Sequence, residues 1–200
     1  MQDSGLTQLT TVGASPLTLD DAKKHLRIIG LDADDAYIQL CIDSAEAILE
    51  RRTMIAMRYK TYRQTFPAFL HTARNLQSLY IMRNPVVSIQ SFTMVDINDT
   101  AQAVTNYQLR SSQWPATLCP RAGQYWPIAK YRTLEAITVN FTAGYATNQC
   151  PADILLALRY LVSHLYENRE FVIADSGAVP YALPFSLEAL IKSFRYGGFV

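Results

Sequence analysis

The sequence predicts an α+β fold, a small helical bundle with a β-rich insertion between its second and third helices. Three observations lead there. Apolar residues recur at helical spacing over 18–28, 33–53, 151–170 and 186–196. Between 57 and 145 that spacing is lost, and short β-forming runs alternate with turn residues. The stretch from Pro151 to Glu170 carries more apolar surface than one neighbour can cover. The expected division is therefore a flexible N-terminal arm (1–16), a helical core (17–56 with 146–170), the β-rich insertion (57–145), and a C-terminal linker and helix (171–200).

Taken in order, residues 1–16 are rich in Ser, Thr and Gly and read as a loose arm. Thr18 then stands as the N-cap of a short helix, with Asp21 in capping-box position and Asp20 at the positive helix end; Gly30 follows its close near Ile28. A second helix opens at Asp32-Ala33-Asp34-Asp35 and runs to Thr53. Ile38, Ile42, Ala45 and Leu49 form its apolar face, and Asp35, Gln39, Asp43, Glu46 and Glu50 line the opposite side. Carboxylates strung along an exposed helix diverge, so that stripe reads as a solvated or partner-facing surface rather than a metal site.

From Met57 the period changes. Arg58 to Phe66 reads as a strand, as do Leu79 to Met82, Val86 to Val95, Tyr107 to Arg110 and Ala136 to Phe141. The pieces 67–77 and 111–133 hold too many polar and proline residues to be placed, although Trp114 and Trp126 suit an ordered surface loop. Pro151 opens the long third helix, where its missing N–H costs nothing. Ile154, Leu158, Leu161 and Leu165 make its core face, and Ala157, Tyr160 and His164 belong to a second, semi-polar face suited to a neighbouring subunit. After the linker 171–184, Ser186 stands as the cap of a final helix ended by Gly197-Gly198.

Half of the 200 residues are apolar, which suits a folded chain with a substantial core. Met1 to Ser4 lacks a signal peptide's basic and apolar regions, and no apolar run is long enough to span a membrane, so a cytoplasmic location in the producing cell and no membrane partner are expected. Three widely spaced cysteines, Cys41, Cys119 and Cys150, exclude a disulfide framework and read as buried, reduced thiols. The net charge of +1 hides a segregation: residues 1–50 hold nine acids against three bases, whereas 51–95 hold seven bases and no acid. Such separation serves contact within the chain, contact between identical subunits placed head to tail, or contact with an outside polyanion.

Catalytic patterns are missing. There is no GxSxG, no HExxH and no glycine-rich phosphate loop, and His25, His71 and His164 are scattered without metal-ligand spacing. No catalytic residue, cofactor site or metal site is expected. Strand alternation would put Arg58, Lys60 and Tyr62 on one face and Tyr59, Thr61 and Arg63 on the other, which splits the charges and leaves no base-stacking platform. The candidate subunit or partner interface is Asp35, Asp43, Glu46, Glu50, Arg58, Lys60, Arg63, Tyr160 and His164.

The order of parts resembles a known family. Pro16-Leu17-Thr18-Leu19-Asp20-Asp21, Asp34-Asp35, Glu50-Arg51-Arg52-Thr53, Asn84-Pro85-Val86, Asn106-Tyr107, Ile137 to Tyr145, Cys150-Pro151-Ala152-Asp153-Ile154 and Leu165 to Glu170 together resemble the tailed-phage head–tail connector, or adaptor, family. The resemblance covers 16–170 and implies a structural virion protein without enzymatic activity. It implies a homo-oligomeric ring beneath the portal protein that extends the DNA channel and offers a docking platform to the next connector or tail-completion protein. Packaged double-stranded DNA would pass through it without sequence-specific contact. The implied place is the virion neck, assembled in the host bacterial cytoplasm. A second reading, from another class, is a nucleic-acid-binding domain using the basic stretch 51–95.

Overall fold

A computed structural model describes residues 5–28, 30, 32–67, 78–127, 130, 135–169 and 185–194. Its chain is mixed helix and sheet, α+β as expected, and divides into two compact units. One comprises residues 1–14 and 58–146, the other 15–57 and 147–200. Among the described residues no helix is long and apolar enough to cross a membrane.

The first unit is built on a five-stranded antiparallel sheet. Its strands are β1 (Gly5–Thr11), β2 (Lys60–Phe66), β4 (Val86–Val95), β5 (Ala101–Ala103) and β8 (Ile137–Ala143), in the order β1-β2-β8-β4-β5. Three further strands, β3 (Leu79–Ile81), β6 (Tyr107–Arg110) and β7 (Ala116–Pro120), form a second sheet in the order β3-β7-β6. Alternation makes the core: Tyr62, Phe66, Ile137, Val139, Phe141, Phe92 and Met94 are all buried. Tyr62 stacks on its register partner Phe141 at 5.6 Å, and Trp126 meets Phe92 edge-on at 5.3 Å.

A buried amide on β2 joins the two sheets, and a second fastens the loop after β3 to strands of its own sheet. Gln64 on β2 donates to the Tyr80 carbonyl at 3.1 Å and accepts from the Met82 N–H at 3.0 Å. Asn84 donates to the Ile81 carbonyl at 3.4 Å and accepts from the Ala116 N–H at 3.1 Å. Both side chains are buried, and each satisfies backbone groups that would otherwise lose water without a replacement partner.

Five sequence-predicted strands are present with small shifts at their ends, and three were not anticipated. The expected N-terminal arm contains β1, which pairs with β2 across Gly5↔Thr65 to Thr11↔Lys60. Because β1 is an edge strand exposed on nearly all its length, no apolar alternation announces it. The expected buried site for all three thiols also needs correction: Cys41 and Cys150 are buried, but Cys119 on β7 is half-buried, 3.2 Å from the Ser78 hydroxyl.

The second unit holds α1 (Leu19–Leu26), α2 (Asp35–Thr53), α3 (Ala152–Glu167) and α4 (Phe185–Phe194). α2 and α3 pack on each other, and each also touches α1 and α4. Thr18 caps α1 as the sequence implies, its hydroxyl accepting from the Asp21 N–H at 3.1 Å. α2 ends through Met54 in the left-handed region, φ 61°. Ile38, Ile42, Ala45 and Leu49 on α2 meet the core with Ile154, Ala157, Leu158, Leu161 and Val162 on α3. Leu165 is half-buried. Near the start of α3, burial and then the negative charges of Asp153 and Glu46 push the Cys150 thiol up to about 12, so the thiol stays protonated. The linker 171–184, Ser186's side chain and Gly197-Gly198 lie outside the described residues.

Gly144 follows β8 with φ +127°, and a Cβ there would fall 2.1 Å from the Arg58 carbonyl oxygen. Neither the conformation nor the space admits a side chain. We expect Gly144→Ala to destabilise the protein by about 3 kcal/mol or more in urea denaturation; a loss below about 1 kcal/mol would contradict this close approach.

Candidate subunit interface

The acidic stripe expected along α2 is not one surface. Asp43 is exposed and accepts from Gln39 at 3.4 Å, and Asp35 is half-buried in an ion pair with Lys23 at 2.7 Å. Glu46 and Glu50, by contrast, are only 1% and 5% exposed. Glu46 accepts from the Ser15 hydroxyl, and Glu50 accepts from the Met57 N–H at 2.9 Å. The buried arc of α2 is wider than its apolar residues imply because these carboxylates satisfy groups on the chain segments flanking the helix. Helical periodicity registers polarity and cannot register a buried hydrogen bond.

The basic candidates lie on the other unit. Lys60 is buried, Arg58 is half-buried, and Arg63 is exposed with its Nε 3.4 Å from Asn140 Oδ1. Arg83 lies 5.7 Å over the Tyr62 ring. Among the described bases of 51–95, Lys60 is buried and Arg58 half-buried, so the stretch does not present all of its charge to solvent.

Of the semi-polar face expected on α3, Ala157 is instead buried in the core, whereas Tyr160 and His164 reach the surface. Tyr160 is 48% exposed, with its ring 6.3 Å from that of His25, and His164 is half-buried with Nδ1 3.4 Å from the Asn168 amide nitrogen. Leu156, one turn before Tyr160, is 41% exposed and belongs to the same outward face. On α2 the outward strip is Ala36, Leu40, Asp43 and Ala47, with Leu40 59% exposed. The helical unit thus shows two different outward faces, one with large apolar side chains and one with mostly small ones. Among the described residues no group of three or more His, Cys, Asp or Glu is placed to hold a metal ion.

A clamp that the sequence did not reveal joins the start of α2 to the end of α3. Arg169 lies against both Tyr37 and Tyr166, whose rings meet at 5.9 Å, its guanidinium carbon 4.6 and 4.8 Å from their ring centres, and reaches Asp34 Oδ2 at 2.7 Å. The Tyr166 hydroxyl donates to the same oxygen at 2.7 Å, and that of Tyr37 donates to the Leu165 carbonyl at 3.2 Å. Asp34 consequently gives no side-chain cap to α2. The partners lie more than 100 positions apart, beyond the reach of any local pattern.

Two measurements check these assignments. Glu50→Ala should cost about 2 kcal/mol in urea denaturation by orphaning the Met57 N–H, whereas Asp43→Ala should stay within about 0.5 kcal/mol. Equal effects would contradict the different burial. The Tyr166 hydroxyl, then the Arg169 guanidinium, hold the Asp34 carboxyl below its ordinary value. A carboxyl lowered on folding stabilises above its unfolded pKa of about 3.9 and loses that contribution as pH falls through the folded value. Asp34→Asn should therefore lower the urea midpoint at pH 7, with the deficit against wild type shrinking below about pH 4. A deficit independent of pH would count against the charged clamp.

Comparison with known proteins gives a family match that crosses the boundary between the two units. Residues 16–84 match the family described as phage gp6-like head-tail connector protein. A search of curated proteins finds no match. Among solved structures, a chain of the virion of a native gene transfer agent (GTA) particle is similar at TM-score 0.75 and 24% identity, with 98% of this chain and 97% of that chain covered. A chain from the neck of an empty GTA particle, computed with C6 symmetry, gives the same values. One from the neck of a native GTA particle, computed with C12 symmetry, has TM-score 0.71 and 22% identity over the same shares. The family match ends at Asn84, so the motifs from Asn106 onward lie beyond it. The matched family is structural and not enzymatic: over residues 16–84 this chain is similar to the phage gp6-like head–tail connectors, and over nearly its whole length it has the fold of the GTA particle chains.

Proposed function

We propose that this chain is a structural protein of a phage or phage-like neck, a head–tail connector that closes into a homo-oligomeric ring beneath the portal. In this reading the ring extends the DNA channel, touches the passing duplex without sequence preference, and gives the next connector or tail-completion protein a platform. It takes its place in the virion neck after folding in the bacterial cytoplasm. The helical segments 17–56 and 146–170 serve as the connector core and the β-rich stretch 57–145 as an insertion into it. The observation that carries the reading is the coincidence on one chain of a connector-family match at 16–84 and likeness in fold, over 98% of the chain, to the GTA neck chains. The C6 and C12 symmetries of those necks support a cyclic arrangement.

A closed ring needs a heterologous interface, in which one surface meets a different surface of the next copy. The outer face of α3, with Leu156, Tyr160 and His164, and the outer strip of α2, with Ala36, Leu40, Asp43 and Ala47, are suited to that role: large apolar side chains on one, mainly small ones on the other. Arg63 remains a further contact candidate as the exposed member of its basic group. Asp35, Glu46, Glu50, Arg58 and Lys60 serve within the subunit instead.

Light scattering and negative-stain imaging of Leu156→Glu combined with Tyr160→Glu test this. Ring formation should fall at least about tenfold in apparent affinity. Circular dichroism should be unchanged, because both side chains are already partly in water. Rings of undiminished stability in the variant, or a wild-type chain that never associates even with its portal, would overturn the assignment.

A further inference from the structure

At the C-terminal end of α2 the helical unit holds a cleft of about 420 Å³ lined by Arg51, Arg52, Glu188, Ile191 and Lys192. Arg51 and Arg52 stand in the last turn of α2, and Lys192 stands in the last turn of α4. Cations are favourable at such helix ends, which explains why these residues are tolerated there. It does not explain why they converge on a recess. Ile191 is buried, whereas both arginines are exposed and form no ion pair among the described residues. Lys192 reaches Glu188 only at 3.9 Å, as an exposed i,i+4 pair of little strength. Among the described residues, three cations thus face one carboxylate around an apolar side chain.

The chemistry favours one kind of occupant. Arginine forks match a carboxylate through paired hydrogen bonds, and a partly apolar recess of this size accepts a few side chains. A nucleic-acid backbone is a poorer fit. A phosphodiester backbone offers no aliphatic group to the apolar side of the recess at Ile191, whereas a peptide does. We infer that this cleft receives an acidic peptide segment of a partner protein, with a carboxylate side chain held by Arg51 and Arg52 and an adjacent aliphatic side chain resting on Ile191.

Fluorescence anisotropy of the full chain with a labelled short peptide alternating glutamate and leucine tests the inference. A glutamine-for-glutamate peptide and a short DNA duplex serve as competing probes. Wild type should bind the acidic peptide and reject the glutamine peptide. Arg51→Gln combined with Arg52→Gln should weaken binding at least about tenfold, and Lys192→Gln, at an exposed position, about threefold. Circular dichroism of each variant reports that the fold is kept. Failure of wild type to bind, unchanged affinity in both variants, or a duplex that binds more tightly than the peptide and is the sole probe weakened by the substitutions would each overturn it. A free peptide needs no assembled ring, so loss of peptide binding and failure of assembly are separate outcomes.

Discussion

Two buried carboxylates on α2 hold the chain at the points where it passes between its compact units. Glu46 takes the Ser15 hydroxyl and Glu50 takes the Met57 N–H, and Ser15 and Met57 are the first and last residues of the segment that carries α1 and α2. A buried carboxylate is tolerated only where hydrogen bonds replace its water, so these contacts limit how α2 turns about its own axis. The helix must point Glu46 and Glu50 inward with Ile42 and Leu49. Within the β-rich unit the same passes are fastened by backbone: the Tyr59 carbonyl accepts from Val12 and Gly13, and Gly144 lies against the Arg58 carbonyl.

That rotation determines what the subunit can offer a neighbour. With the carboxylates turned inward, Ala36, Leu40, Asp43 and Ala47 are left outside, and α3, packed through its core face, leaves Leu156 and Tyr160 in water. The Asp34–Arg169 clamp, supported by Tyr37 and Tyr166, then ties the beginning of α2 to the end of α3. A protein that works by assembling gains from such fixed outer faces, because less ordering is left to be done when subunits meet.

Much of this was legible from residue order alone, and the failures have physical causes. Helical periodicity located four helices, and β-forming runs between turn residues located five strands. β1 escaped because an edge strand exposed on nearly all its length has no buried face to mark it. β7 escaped because Pro115 and Pro120 bracket it, and prolines ordinarily argue against a central strand; here Pro120 sits at its end, opposite Tyr107. Tyr160 lies outward because its polar tip sits beside the apolar stripe. Glu46, Glu50 and Lys60 were misread as surface residues because charge type predicts exposure only on average, and hydrogen bonds to distant backbone or hydroxyl groups leave no local pattern.

The central claim is that the chain is a ring-forming neck protein whose outer α3 face is covered by the next copy. Electron cryomicroscopy of neck assemblies containing this chain tests it most directly. The account predicts a cyclic ring of copies in which Leu156 and Tyr160 are buried against a different surface of the adjacent subunit. A neck without density for this chain, or a ring that leaves α3's outer face open to solvent, would contradict it.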